Sequence, residues 1–539
     1  MDLVIKHPVG LSMERAIERN IERLALLDST STVTRQIVVV PPGAGIVHQV
    51  NQEYLAQVVM EVDGLLYPDS VVSTDSHSTL THGLGILGWG ESWSRAKGAM
   101  RGEPIRMDLP QVVGVNLTRR LRAGATATDV AMTCMKPSML NSFVEFYGEG
   151  MRELSVADRA TVANLLSEFG ATMGFFPVDS VTLQYLRDTG RDEAKVEQVK
   201  AYMRANHLFM DHATAGEAEA KPKYSNYLQL DLATVEPCVC GPRISGPDAC
   251  RPYCGSLYCF VSTTRSPLSV SLPQGFGILP DQQGKSVTVT LEEGVQIQLK
   301  HGFVVIATIT SCTSALNPAE MLTAALVAKK ASERGLQVKP YVKTSLAPAS
   351  NVVTKYLEAS GLLPALEGQG FHVVGHDCTT CIGSSAKISE SVMEAVSDNG
   401  LVAATVRSCS RTSEGHVHPL FRANYLASPP LVVAYALAGT VDINFEEESI
   451  GSDKDGNEVF LRDIWPSNEE VAEVLERAVL PQLFQSVYEA VKEGATDALW
   501  NSLPADDEIG WRDGTDASSL HLLSQGDSVA TDQTSPAGQ

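Results

Sequence analysis

The chain has 539 residues, several times what one hydrophobic core usually supports, so two to four domains or subdomains are expected. A net charge of -22 at pH 7 disfavours broad attraction to phosphate backbones, so RNA and DNA are not the expected partners. Ten cysteines with no secretory leader fit thiols or metal ligands better than a disulfide framework, and the absence of any run near ~18 apolar residues predicts a soluble, cytoplasmic protein with no membrane partner.

In chain order, VVSTDSHSTLTHGLGILGWG (71–90) starts as a strand, places Asp75, Ser76 and His77 in the following turn, and runs into a Gly-rich stretch that allows close backbone approach. TVANLLSEFGATMGFFP (161–177) predicts a short helix with Asn164 and Glu168 one turn apart on one face. The second half alternates more regularly. FVVIATIT (303–310) reads as a buried strand, 319–335 as an amphipathic helix and LQVKPYV (336–342) as the next strand. Then follow a helix at 351–361, a strand at FHVVG (371–375), a helix at 385–400 closed by Gly400, and a strand at LVAATV (401–406). This βαβ series predicts a parallel sheet, with Cys312, Cys378, Cys381 and Ser408–Arg411 each just beyond a strand, where α/β sheets gather their ligands. Residues 518–539, rich in Ser, Gly, Gln and Asp, are expected to stay disordered.

Cys378-Thr-Thr-Cys381 alone is ambiguous, because C-x-x-C serves zinc, redox pairs and iron–sulfur clusters. Cys312 adds a third thiolate, whereas structural zinc or an electron-transfer cluster normally takes four ligands; three leave one iron open to act as a Lewis acid. Plainer readings stand beside these. His7 fits a surface histidine, Asp75-Ser76-His77 a helix cap, Asn164 and Glu168 a solvated face, and Arg411 an ordinary surface cation. Cys238, Cys240, Cys250, Cys254 and Cys259 match no common zinc spacing, and Cys134 and Cys409 read as buried or incidental thiols.

The stretches IVHQVN, TDSHSTLTHGLGILGWG, FVEFYGEGMRELSVADRATVANL, FGATMGFFPVD, ITSCT, VKTSLAP, CTTCIG, PLFRANYLASPPLVVAYALAGTVDI and FLRDIWPSNEEVAEVL resemble aconitase. The likeness is to the cytosolic aconitase and iron regulatory protein branch, over most of 1–243 and 276–505. It implies an α/β protein with a three-domain core of parallel-sheet domains around a cluster crevice. The expected division is a shortened first domain (1–112), a second (113–243), a divergent Cys-rich segment (244–275), a third domain with the cluster ligands (276–477), a linker region (478–511) and the disordered tail (512–539). The implied activity is hydro-lyase interconversion of citrate and isocitrate through cis-aconitate, on a 4Fe–4S cluster held by Cys312, Cys378 and Cys381. His7, His48, Asp75, His77 and Glu168 match catalytic positions; Asp75, Ser76, His77, Asn164 and Arg411 match positions that bind the tricarboxylate substrate.

The chain departs from the family pattern in places. Lys6 stands where the family has an Asp beside His7, Ser314 and Ser410 replace Asn, and His416 replaces a second substrate arginine. The resemblance also leads one to expect a first domain lacking its start, which leaves an organellar location open, and a swivelling fourth domain supplied by a separate subunit. Two alternatives are an iron-sensing protein of the regulatory type that binds RNA or another partner, and an inactive truncated product.

Overall fold

The computed structural model describes residues 2–6, 36–40, 45–73, 76–91, 109–211, 223–241, 284–291, 294–310, 317–376, 388–408 and 420–492, with a few isolated positions between them. The first third is built from three strand pairs. β1 (Asp2–Lys6) and β2 (Gln36–Val40) pair in parallel, β3 (Val59–Val62) and β4 (Leu65–Pro68) form a hairpin, and β5 (Ser70–Ser73) and β6 (Leu87–Gly90) pair in parallel. A helical turn, α1 (Val47–Val50), runs directly into a π-helical turn, Asn51–Leu55, and a 3-10 helix, Ser76–Leu84, joins β5 to β6.

The next unit is a fully parallel sheet. β7 (Val112–Thr118), β8 (Phe143–Tyr147), β9 (Met173–Phe175) and β10 (Asn226–Asp231) stand in the order β10-β7-β8-β9. Its helices start at strong caps. Thr126 and Asp129 form a capping box at α2 (Ala127–Cys134), and Ser155 and Asp158 do so at α3 (Val156–Glu168). Asp179 caps α4 (Ser180–Asp188) while holding Arg159 of α3 through two contacts of 2.9 and 2.7 Å, an ion pair wholly removed from solvent. α4 and α5 (Glu193–Ala205) pack Leu183, Leu186, Val196 and Val199 on Val58, Leu84 and Ile86 of the first third.

The last unit holds the series expected from the sequence. A hairpin, β11 (Ser286–Thr290) with β12 (Gln296–Lys300), precedes β13 (Val304–Ile309), β14 (Lys343–Leu346), β15 (Ala404–Arg407) and β16 (Ala423–Leu426), which form a parallel sheet in the order β14-β13-β15-β16. β13 is buried throughout because both faces are covered: Val304, Ala307 and Ile309 meet the cluster containing α6 (Pro318–Arg334), and Val305 and Ile306 meet that containing α9, below. α6 shows why it begins and ends where it does: Asn317 caps it, Pro318 takes the first turn and Gly335 ends it at φ 84°. α7 (Asn351–Ala359), α8 (Leu363–Gly368), α9 (Glu390–Asn399), α10 (Pro429–Ala438), α11 (Asn468–Ala478) and α12 (Pro481–Lys492) complete the layers.

Two expected strands differ. Residues 336–342 are not a strand: the Gln369 side chain accepts from Val338 N and donates to Leu336 O, meeting backbone needs that a ladder would otherwise meet, and Pro340 has no N–H to give. The pairing shifts to Lys343–Leu346. FHVVG contributes only a parallel bridge, Val373 to Leu346, at the β14 edge. No helix among the described residues is long and apolar enough to cross a membrane.

Two packing constraints lead to measurable consequences. The 3-10 helix Ser76–Leu84 lies so close to α3 that a Cβ on Gly83 would sit 2.4 Å from Ala160 N. Gly83→Ala is therefore expected to destabilise the protein by about 2 kcal/mol in urea unfolding, as overpacking does. Second, the buried Glu53 carboxylate accepts from Gln49 Nε2, Tyr488 Oη and Ser350 Oγ, bringing the π-turn, α12 and the loop before α7 together. Burial, opposed by those donors and by Arg191, raises its pKa from 4.5 to about 7. The folded state thus holds the proton more tightly than the unfolded chain; the resulting stability is complete below pH 4.5 and is lost as pH rises through about 7. Glu53→Gln removes this dependence. Between pH 4.5 and 8 its stability should gain on the parent by about 3 kcal/mol, read from urea midpoints at the two pH values.

Candidate active site

Three units meet around a small buried cluster: Ile46 from the first, Leu80 from the 3-10 helix, Ala160 from α3 and Ala349 from the loop after β14. Gly45 makes the approach feasible. It forms an antiparallel bridge with Ser350 at φ 137°, where a Cβ would meet Ala349 O at 2.7 Å, and Ile46 N donates to Ala349 O at 2.9 Å. The same loop is tied to the sheet, since Ala347 N donates to Ile309 O at the end of β13. His48, two residues beyond Ile46, is thereby carried to the strand-end side of the last sheet, where it is buried and its Nε2 is hydrogen-bonded to Ser73 Oγ at 3.1 Å.

The second group lies across the contact between the 3-10 helix and α3. His77 Nε2 is 3.7 Å from Glu168 Oε1; Asn164 Nδ2 donates to the same Oε1 at 2.9 Å; Thr79 Oγ1 donates to Asn164 Oδ1 at 3.0 Å. Asn164 and Glu168 do share one face of α3, as their spacing predicts, but the face is turned inward: Asn164 is fully buried and the Glu168 side chain is 13% exposed. The solvated-face reading is thus wrong. Such an arrangement can hold a proton between an imidazole and a carboxylate and offers amide and hydroxyl partners to a polar ligand.

The 3-10 helix is anchored at its other end by His82, whose Nε2 contacts Gly88 O at 2.7 Å. Burial lowers the His82 pKa to about 4, so this imidazole is neutral near pH 7 and its role is structural. Ser73 and Thr79, which steady His48 and Asn164, were not singled out from the sequence. Their signal is faint, although Thr79 follows Ser76 by three residues and so shares its face in a 3-10 helix.

Ser76 opens that helix, but its side chain, together with His7, Asp75, Arg411 and the three cysteines Cys312, Cys378 and Cys381, lies outside the described residues. What can be placed are the stems. β13 leads to Thr310 and then toward Cys312; Val373, beside β14, leads through His376 toward Cys378; β15 leads to Ser408 and then toward Arg411. β13 and β15 run parallel in one sheet, and Val373 bridges in parallel to Leu346 beside it; at the carboxyl end of this sheet Thr310 N donates to Ser408 Oγ at 3.1 Å. Among the described residues Thr310 Oγ1 is buried without a hydrogen-bond partner at this end, and no group of His, Cys, Asp and Glu could hold a metal. Cys312, Cys378 and Cys381, the thiolates that the sequence reading takes as ligands, follow these stems in the chain. Cys238 and Cys240 do different work. Both are buried in the seam between units, where Cys238 N donates to Asp129 and Cys240 bridges Leu426 through paired backbone bonds; Cys134 is buried too.

A family model described as "Aconitase family (aconitate hydratase)" matches residues 1–439. Aconitate hydratase A of Thermus thermophilus is 47% identical over 577 aligned positions, covering 100% of this chain and 63% of that protein. This chain therefore spans a little under two thirds of the relative's length, and the aligned span takes in residues 244–275 and 512–539 as well. On the extent of both matches, the chain belongs to the aconitase family.

Proposed function

We propose that this chain performs aconitate hydratase chemistry, isomerising citrate to isocitrate through cis-aconitate, with a 4Fe–4S cluster held by Cys312, Cys378 and Cys381. The observation that carries this reading is the His77–Glu168 pair, 3.7 Å apart in a junction of three units, beside a sheet whose strands β13 and β15 lead on toward Cys312 and Arg411. The Thermus relative, an aconitate hydratase by name, supports the substrate class.

When bound, the cluster supplies an iron with an open coordination position, a Lewis acid toward the substrate hydroxyl and carboxylate. The remaining work belongs to side chains. His77 Nε2 gives or takes the proton of the hydration step, and Glu168 steadies the imidazolium. Asn164, Asp75 and Ser76 bind the tricarboxylate by hydrogen bonds, and Arg411 offers one carboxylate a planar two-point clamp. His48, steadied by Ser73, and His7 complete the proton-handling set. His416, where a second arginine is usual, leaves an imidazole for the other carboxylate. The expected domain limits, the cytosolic branch, a cytoplasmic location and a separate swivelling subunit belong to the same reading. The RNA alternative gains no support: the chain is strongly acidic, and Arg187, Lys200 and Arg204, which line one groove, pair with Glu193, Glu197 and Asp211.

Anaerobic loading of the full chain with iron and sulfide tests the proposal in two stages. About four irons per chain are expected, and none with Cys378→Ser. Citrate-to-aconitate turnover is then expected to fall about 100-fold in Glu168→Gln. A folded chain that takes up no iron would sink the cofactor assignment; a loaded chain without turnover would sink the activity of this polypeptide.

A further inference from the structure

We propose that Thr79 is a positioning residue for this proton transfer, fixing the orientation of the Asn164 amide and through it the Glu168 oxygen that faces His77. The inference rests on the proposed chemistry of the His77–Glu168 pair. Its geometry does not. Glu168 Oε1 is the atom closest to His77 Nε2, and the same atom receives Asn164 Nδ2 at 2.9 Å.

An ionised carboxylate only accepts hydrogen bonds, so the Asn164 amide must turn its nitrogen toward Glu168 and its oxygen away. That oxygen lies 3.0 Å from Thr79 Oγ1, and the hydroxyl, which can donate or accept, must therefore donate. Thr79 is 6% exposed and Asn164 is fully buried, so bulk water cannot readily replace the hydroxyl. The donors thus run in one direction, from Thr79 to Asn164 to Glu168. Removing the first leaves a buried amide oxygen without this donor. Rotating the amide to recover a partner would set oxygen against oxygen at Glu168, which the carboxylate relieves by turning from His77 or by taking a proton. Either response withdraws negative charge from the imidazole.

The frame around the three residues favours such an effect over a general collapse. α3 is pinned below Asn164 by the buried Arg159–Asp179 pair, and the 3-10 helix is pinned beyond Thr79 by His82 and the Gly83 contact. Thr79→Val keeps the shape and removes the hydroxyl, whereas Thr79→Ser keeps the hydroxyl.

The test is the titration of the His77 imidazole in the full chain, followed by NMR of histidine-labelled protein and assigned with a His77→Gln control. In Thr79→Val the midpoint is expected to fall by about half a pH unit, with Thr79→Ser restoring it. In protein that turns over citrate, the Val variant should lose about tenfold in kcat with little change in KM. A His77 midpoint unchanged in Thr79→Val would overturn the proposal. So would a Ser variant that behaves like Val, since the effect would then be steric. A shifted midpoint in a chain without turnover would uphold the Thr79 arrangement and count instead against the activity.

Discussion

The contact between the 3-10 helix Ser76–Leu84 and α3 is the constraint on which the rest of the arrangement depends. One element brings His77 and Thr79, the other Asn164 and Glu168, and their side chains meet only because the backbones close to within a distance that a methyl group at Gly83 would not allow. A 3-10 helix suits this task. Its three-residue turn keeps the chain narrow, and its poor internal hydrogen bonding is offset by outside anchors such as His82 to Gly88. α3 in turn needs Arg159, whose charge is satisfied by Asp179 and by the carbonyls of Leu154 and Met151 with no solvent contact. Loss of one partner there would strand a buried charge, a larger cost than loss of most surface ion pairs.

The periodic half of the fold was legible because a two-sided sheet leaves a simple trace. Strands covered on both faces are apolar throughout, as β13 is, and helices such as α6 and α9 announce their ends with Asn317, Gly335 and Gly400. What the pattern missed was decided by tertiary contacts. Leu336, Val338 and Val342 look like a strand but pack beside α6 and α8, with Gln369 serving the backbone of Leu336 and Val338, while the real strand, Lys-Thr-Ser-Leu, looks polar because it lies near the sheet edge. A glutamine 31 and 33 residues away in sequence leaves no local signal.

The site was legible to a different degree. Asn164 and Glu168 could be placed on one helix face from their spacing, yet spacing alone favoured solvent, and only the packing of the 3-10 helix turned that face inward. His48 illustrates the opposite limit. Its position depends on Gly45, Ile46 and the Ala349–Ser350 backbone, residues some 300 positions apart that share no recognisable motif. Motif resemblance found it; local physics could not.

The segment that carries Cys312 is held at both flanks by contacts among the described residues. One end is fixed at Thr310, bonded to Ser408 across the sheet edge, and the other at Asn317, which caps α6 and donates to Asp158 of α3 at 2.6 Å. Two buried carboxyls, Asp129 of α2 and Glu320 of α6, lie at the seam beside this second anchor. Asp129 receives Thr126 N, Thr126 Oγ1 and Cys238 N, and although burial raises its pKa to about 6, those donors keep it mostly ionised at pH 7. Glu320 accepts from Thr128 among the described residues and faces the like charges of Asp129 and Asp158, so burial carries its pKa to about 8, which favours the protonated form at the same pH. A second ionised carboxyl at this seam would repel the first. A neutral one still accepts from Thr128 N and Oγ1, which lets α2, α3 and the start of α6 meet in one buried place beside Asn317.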